Sequence, residues 1–241
     1  MSTTTDYAPP VDAPVSAVVP VCLLGDTSSS MAAGPGPVSP IAALNAGLSS
    51  LISTLQIHPE AADTAVVEII EFSSTASVVM PYTHVDAAAT PPVLSANGST
   101  GYGEAFALAR RGLEALVAAH RSTLVYRPTV YMITDGGPTD TGWESELDTL
   151  CSLPFAPNIC VFGVAGADEA VLRRIARRDR GMVWLADEGT DPAQAFAALF
   201  PALVRTVLNS ASAAAAGAPV PAPIPTNVPG MTQLDVVSGA Q

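Results

Sequence analysis

The stretch that most constrains this chain is Val18-Val19-Pro20-Val21-Cys22-Leu23-Leu24-Gly25-Asp26-Thr27-Ser28-Ser29-Ser30-Met31. An apolar run stops at an aspartate, and hydroxyl side chains follow at alternate positions. Such a run reads as a strand over about 17–24, buried on both faces, that delivers oxygen donors to the rim of a sheet. Asp26, Ser28 and Ser30 then turn hard oxygens toward one point, a set suited to Mg²⁺ or Mn²⁺ rather than to zinc. A Ser/Thr loop that only ends a strand and satisfies nearby backbone groups has the same appearance. The choice between the two rests on the rest of the chain.

Of the 241 residues, 49% are hydrophobic and 13% charged, which suffices for one α/β domain with a core on both sides of its sheet. No segment has the roughly 18 uninterrupted apolar residues of a membrane span. With 10 basic and 22 acidic residues the formal charge is -12, which repels nucleic acid and acidic lipid surfaces alike. Every basic residue is an arginine, so a phosphate-binding loop lysine and a Schiff-base lysine are both excluded. Cys22, Cys151 and Cys160 show no metal-ligand spacing. Their odd number, and an N-terminus without a positive region ahead of an apolar one, lead to the expectation of a cytoplasmic protein.

Along the chain, residues 1–16 read as a disordered arm, 17–208 as the folded domain, and 209–241 as a flexible Ala/Pro-rich tail. Ser39 and Pro40 open a helix whose Ile41, Leu44, Leu48, Leu51, Ile52 and Leu55 recur at helical spacing. Thr64–Phe72 is a strand and Thr75–Met80 its hairpin partner. A helix follows from about 103 to His120, a strand at Thr129–Thr134, and a helix at Trp143–Cys151. Then come a strand at Ile159–Val164, a helix at Glu169–Arg178, a strand at Met182–Leu185 and a helix at Pro192–Leu208. This alternation implies right-handed crossovers and a doubly wound, mostly parallel six-stranded sheet with one antiparallel edge strand and helices on both faces.

Ligands of such sheets bind beyond the carboxyl ends of the strands, where strand order reverses. Asp26 and Asp135 both stand at strand ends. If their strands are neighbours, Asp26, Ser28, Ser30 and Asp135 share a crevice that Thr100 reaches on an intervening loop. Glu104 and Asp140 read as capping or surface carboxylates, and His58, His84 and His120 as solvent-facing. Arg173, Arg174, Arg177, Arg178 and Arg180 suit either a basic docking face or a solvated helix face.

The segments Asp26-Thr27-Ser28-Ser29-Ser30, Thr100 and Asp135 resemble, in order, the metal-ion-dependent adhesion site of the von Willebrand factor A domain family. Gly98-Ser99-Thr100-Gly101-Tyr102-Gly103-Glu104-Ala105 and Met132-Ile133-Thr134-Asp135-Gly136-Gly137-Pro138-Thr139-Asp140 look most like its bacterial tellurium-resistance, TerY-type branch. The resemblance covers about 17–208. It implies a Rossmann-like fold and a Mg²⁺ (or Mn²⁺) ion held directly by Ser28 and Ser30, with a direct or water-bridged oxygen from Thr100 and with Asp26 and Asp135 partly acting through water. Its open position would take an acidic residue of a protein partner, without catalysis, in a tellurium-resistance or related stress system. Ser29 departs from the family's usual glycine and would strain the loop if that position has positive φ. The loop from Met31 to Pro40 is longer and richer in Gly and Pro than the family's.

Service as the adaptor of an AAA-type ATPase is a second binding role. A metal-dependent phosphohydrolase of the haloacid-dehalogenase type is the rival from another class. It needs an aspartate where Ser28 stands and a lysine that the chain lacks. A serine hydrolase fails on the absence of a nucleophile elbow around Ser28 and Ser30 and of a histidine placed as base.

Overall fold

The computed structural model describes residues 16–86, 89–164, 166–176 and 181–235. The expected N-terminal arm, save Ser16, and Arg177, Arg178 and Arg180 lie outside the described residues.

The apolar run forms β1 (Ala17–Asp26), every residue of which after Ala17 is buried. It lies parallel to β2 (Ala65–Phe72) on one side and to β5 (Thr129–Thr134) on the other. The chain first builds outward through β2 to β3 (Ala76–His84), which is antiparallel, then returns across β1 to β5, β6 (Asn158–Gly163) and β7 (Gly181–Ala186). Strand order therefore reverses between β1 and β5. The two aspartates stand at the carboxyl ends of this adjacent pair.

Helices cover both faces, as the apolar spacing requires. On one side α1 (Pro40–Gln56), α2 (Pro59–Thr64) and α6 (Pro192–Ala215) enclose a core with Leu23, Leu48, Phe162 and Phe200. On the other, α3 (Gly103–Ala119), α4 (Trp143–Cys151) and α5 (Glu169–Ala176) cover Leu24, Phe106, Met132 and Ile175. Ser39 and Pro40 do open α1, the Ser39 hydroxyl accepting from Ala42 N–H at 3.4 Å. A Cβ on Gly47 would come within 1.9 Å of the Phe200 ring, so a glycine is what lets α1 and α6 cross this closely.

Among the described residues the sheet has eight strands where six were expected. Short β4 (Leu124–Val125) pairs with the start of β1, and β8 (Met231–Leu234) adds a second antiparallel edge beside β7. The expected flexible tail from 209 is corrected as far as Asp235. The alanine run continues α6 to Ala215, because alanine is the best helix former and Ala211 and Ala214 pack inward. After the turn at Gly217, the proline-rich segment lies along α6 and the sheet. Pro221 carbonyl accepts from the Ser210 hydroxyl at 2.9 Å, Pro223 carbonyl accepts from the Tyr131 hydroxyl, and Val228 and Met231 enter the core. Apolar burial and side-chain donors aimed at prolyl carbonyls hold what composition alone assigns to a spacer.

Candidate metal centre

The end of β1 sets the site. Asp26 is 0% exposed, and its two oxygens are engaged separately: Oδ1 accepts from Ser28 N–H at 2.8 Å, and Oδ2 accepts from the Thr134 hydroxyl at 2.5 Å. The first bond folds the loop back so that Ser28 and Ser30 present their hydroxyls side by side, 3.0 Å apart. Ser30 Oγ donates to Asp135 Oδ1 at 2.8 Å, across the β1–β5 seam. Ser29 opens a 3₁₀ turn over Ser29–Ala32, and no residue other than glycine has positive φ among those described. A serine therefore fits where the family resemblance suggested strain.

The loop is pinned from the third segment. Asn97 N–H donates to Thr27 carbonyl at 2.7 Å, and Ser29 N–H to Gly98 carbonyl at 2.9 Å. Gly98 has φ +72°, and a Cβ there would meet the Ser74 hydroxyl at 2.5 Å, so the glycine answers both to conformation and to space. Thr100 is buried. Its carbonyl accepts from Thr139 N–H at 2.6 Å and from Thr139 Oγ1 at 2.9 Å, and its own hydroxyl lies 3.6 Å from where a Cβ on Gly136 would stand. The structure thus brings Asp26, Ser28, Ser30 and Asp135 into one hydrogen-bonded group and sets Thr100 against the Gly136 turn that follows Asp135.

Two supporting residues, Thr134 and Tyr102, were missed in the sequence, and a third, Asp140, was read there as a capping or surface carboxylate. Thr134 fixes Asp26, the Tyr102 hydroxyl donates to Gly136 carbonyl at 2.7 Å, and Asp140 accepts from Tyr102 N–H at 2.9 Å and Gly103 N–H at 2.8 Å. Asp140 therefore caps α3 from a distant loop, and Glu104 is structural too, accepting from Ala76 N–H at 2.9 Å. Thr134 had a readable signal: a hydroxyl closing an apolar buried strand needs an acceptor nearby. Tyr102 had none, because the carbonyl its hydroxyl bonds lies more than 30 residues away.

The electrostatics favour a cation. Burial pushes the Asp26 carboxyl above its ordinary pKa, against the pull of the bonds from Ser28 and Thr134. Burial likewise raises Asp135; the bond from Ser30 opposes the rise and the charge of Asp26 adds to it. A divalent ion between the two would offset both effects. The donor set consists of oxygens only, and its spacings of 2.8 and 3.0 Å match the edge of about 2.9 Å of an octahedron with Mg²⁺–oxygen distances of about 2.0–2.1 Å. Among the described residues no group of three or more His, Cys, Asp or Glu is placed to hold a metal, here or elsewhere, and the donors of this site are two carboxylates and hydroxyls. The residues present fit a hard divalent ion.

The remaining candidates lie apart from this group. His58 Nδ1 is 2.7 Å from Thr54 carbonyl, and the His84 and His120 rings are 6.4 Å apart, at the far ends of β3 and α3. Arg173 pairs with Glu169 at 2.7 Å and Arg174 with Glu144 at 3.1 Å, so the described part of the basic face is largely neutralised.

In sequence, neither a protein-family model nor a curated protein matches this chain. Solved structures do match in fold. A von Willebrand factor type A protein from Catenulispora acidiphila superposes with TM-score 0.61 at 17% identity, over 80% of this chain and 43% of that one. Proximal thread matrix protein 1 from the mussel byssus, in a form with a zinc-occupied MIDAS motif, gives TM-score 0.53 at 15% identity, over 81% and 48%. The D319A mutant of the PilB minor pilin from Streptococcus sanguinis gives 0.59 at 12% identity, over 88% and 65%. The chain spans less than half the length of the first two proteins. At these identities the likeness establishes the architecture alone: the chain has the mixed α/β, Rossmann-like fold of von Willebrand factor type A structures.

Proposed function

We propose that this chain is a metal-dependent protein-binding module, which recognises an acidic residue of a partner through a divalent ion held by Asp26, Ser28, Ser30, Thr100 and Asp135. The observation that carries this reading is the meeting of two buried carboxylates and the Ser28 and Ser30 hydroxyls across the β1–β5 seam, at oxygen spacings of 2.8 and 3.0 Å. The ion supplies a positive centre that accepts a carboxylate oxygen. Three of the five side chains are neutral hydroxyls, and with Asp26 and Asp135 acting partly through water the ion would keep positive charge for the incoming acid. Asp26 orients the loop through Ser28 N–H, and Thr134 keeps Asp26 in place.

The zinc-occupied MIDAS motif of the mussel protein supports a divalent ion here. Our finer choice is Mg²⁺ or Mn²⁺, on the hardness of the oxygens, with zinc as the competitor to be measured. A place in a bacterial tellurium-resistance or related stress system rests on the similarity of Gly98–Ala105 and Met132–Asp140 to that branch. A reducing, cytoplasmic setting rests on three unpaired thiols.

The test is a pull-down from native extract with Mg²⁺, with Mn²⁺ and with chelator, followed by one-at-a-time change of the captured partner's acidic residues to amides. Capture that disappears with chelator and with one such change supports the reading. Capture that is indifferent to both would overturn it.

A further inference from the structure

Beside the metal centre lies a second cleft, of about 580 Å³, between the loop that runs on from Ser30, the turn after β6 and the loop joining β7 to α6. Its walls are apolar, with Pro35, Ala167, Leu185 and Pro192, while Asp187 and Glu188 stand exposed at its rim. None of the five oxygen donors lines it, but it adjoins the backbone that carries one of them: a Cβ on Gly166, which lines the cleft, would lie 3.7 Å from the Asp135 carbonyl oxygen.

The acidic rim is held in place. Asp187 Oδ1 accepts from the Thr232 hydroxyl at 2.7 Å, its N–H donates to Gly230 carbonyl at 3.0 Å, and its carbonyl accepts from Thr190 N–H at 2.9 Å. Strand β8 and the turn before it therefore fix the loop from outside. None of the ion pairs among the described residues engages Asp187 or Glu188, so no described arginine neutralises either carboxylate.

We propose that this cleft receives a basic side chain of the partner, so that the recognised feature is an acidic residue for the metal with an arginine or lysine close beside it. An arginine or lysine has the matching form: an aliphatic stem that covers apolar surface and a charged head that stays at the wet rim. Pro35, Leu185 and Pro192 meet the stem, and Asp187 and Glu188 meet the head. The net charge of -12 favours approach of a cationic group and disfavours a wholly acidic partner segment, which the metal alone would accept. The cleft thereby selects among acidic partners. This inference rests on the metal-centre reading, and the experiment separates the two.

A displayed pool of short random peptides is panned on the full chain in Mn²⁺, in Mg²⁺ and with chelator. The same panning is applied to the D187N/E188Q chain and to E188R, with circular dichroism to confirm that both fold. Asn at 187 retains an oxygen to accept from Thr232. The expected result is metal-dependent recovery of peptides with an acidic residue and a nearby Arg or Lys. In D187N/E188Q the basic preference drops roughly fivefold while metal-dependent recovery of acidic peptides persists, and E188R turns the preference toward a second acid. Metal-dependent acidic peptides with no basic preference, or with one unchanged in D187N/E188Q, overturn the cleft assignment and leave the metal reading standing. A basic preference that survives chelator overturns the metal reading and leaves the cleft's cation selectivity. Recovery that depends on neither metal nor rim overturns both.

Discussion

Two buried carboxylates of the same sheet are treated in opposite ways. Asp26, at the end of β1, receives a backbone N–H and a hydroxyl, one on each oxygen. Glu68, on β2 beside Cys22 of β1, is 2% exposed under α3, and its Oε2 has no hydrogen-bond partner among the described residues; nor has the Tyr82 hydroxyl or Arg110 Nε. Burial pushes the Glu68 carboxyl up to about 7, with the Cys22 thiol pulling it down. A buried acid surrounded by aimed donors is fitted to remain ionised or to take a cation, whereas one with fewer of them holds its proton to higher pH. Gly112 adjoins this site: a Cβ there would stand 2.3 Å from Glu68 Oε1.

The comparison breaks most sharply at Asp26. Asp26→Ala is expected to weaken divalent-ion binding by at least about a hundredfold in titration calorimetry, with the far-ultraviolet spectrum unchanged. Global unfolding of that variant would show that Asp26 holds the scaffold rather than the ion.

Glu68 should behave in the reverse sense. Its pKa is higher in the folded than in the unfolded chain, so its stabilising contribution is complete below about pH 4.5 and is lost as pH rises through about 7. Glu68→Gln should therefore raise the unfolding free energy by roughly 3 kcal/mol at pH 8, read from urea midpoints, with the gain shrinking as pH falls toward the unfolded value. A gain independent of pH would mean that packing, not ionisation, is what changed.

Saturating metal sharpens the contrast from the other side. At about a hundredfold excess over Kd, an ion bound only to the fold adds roughly 2.7 kcal/mol. Because burial raises Asp26 and Asp135, protons compete for the same oxygens, and this increment should fall as pH drops through their raised values. Mg²⁺, Mn²⁺ and Zn²⁺ compared by thermal melting would rank the ions. Next in size, Asp140→Ala removes both capping bonds from α3 and should lower stability by about 1–2 kcal/mol. Ser29→Gly is the smallest: with negative φ at that position, it should leave metal affinity unchanged and lower stability by less than about 1 kcal/mol.

What the sequence revealed follows the range of each signal. The β1 run, the Asp26-x-Ser28-x-Ser30 spacing and the aspartate ending β5 are local patterns, and with the family resemblance they located the strands and the candidate oxygens. Helix α2 was missed because six residues starting at Pro59 are too short to show a period. Strand β8 was missed because its partner β7 lies far back in the chain. The length of α6 was underestimated because an alanine run reads equally as linker and as helix, and only inward packing of Ala211 and Ala214 distinguishes them. Glu68 lay unremarked within an apolar strand, where the pattern hides a single charge. Burial and pairing with distant residues are set by the assembled sheet, so the partners that Asp140 caps and the proton demand of Glu68 emerge only there.

Strand β8 has a consequence for how the molecule behaves in a crowd. An open β7 edge would offer unpaired N–H and C=O groups to any other extended chain, including another copy. The returning segment occupies that edge, and its own outer side is only four residues long, a poor template for further strands. The opposite edge, β3, is guarded by Pro81 and by irregular register against β2. Shortening the chain before Met231 would therefore reveal itself first as polymerisation through the sheet, at concentrations where the remaining core still holds its fold.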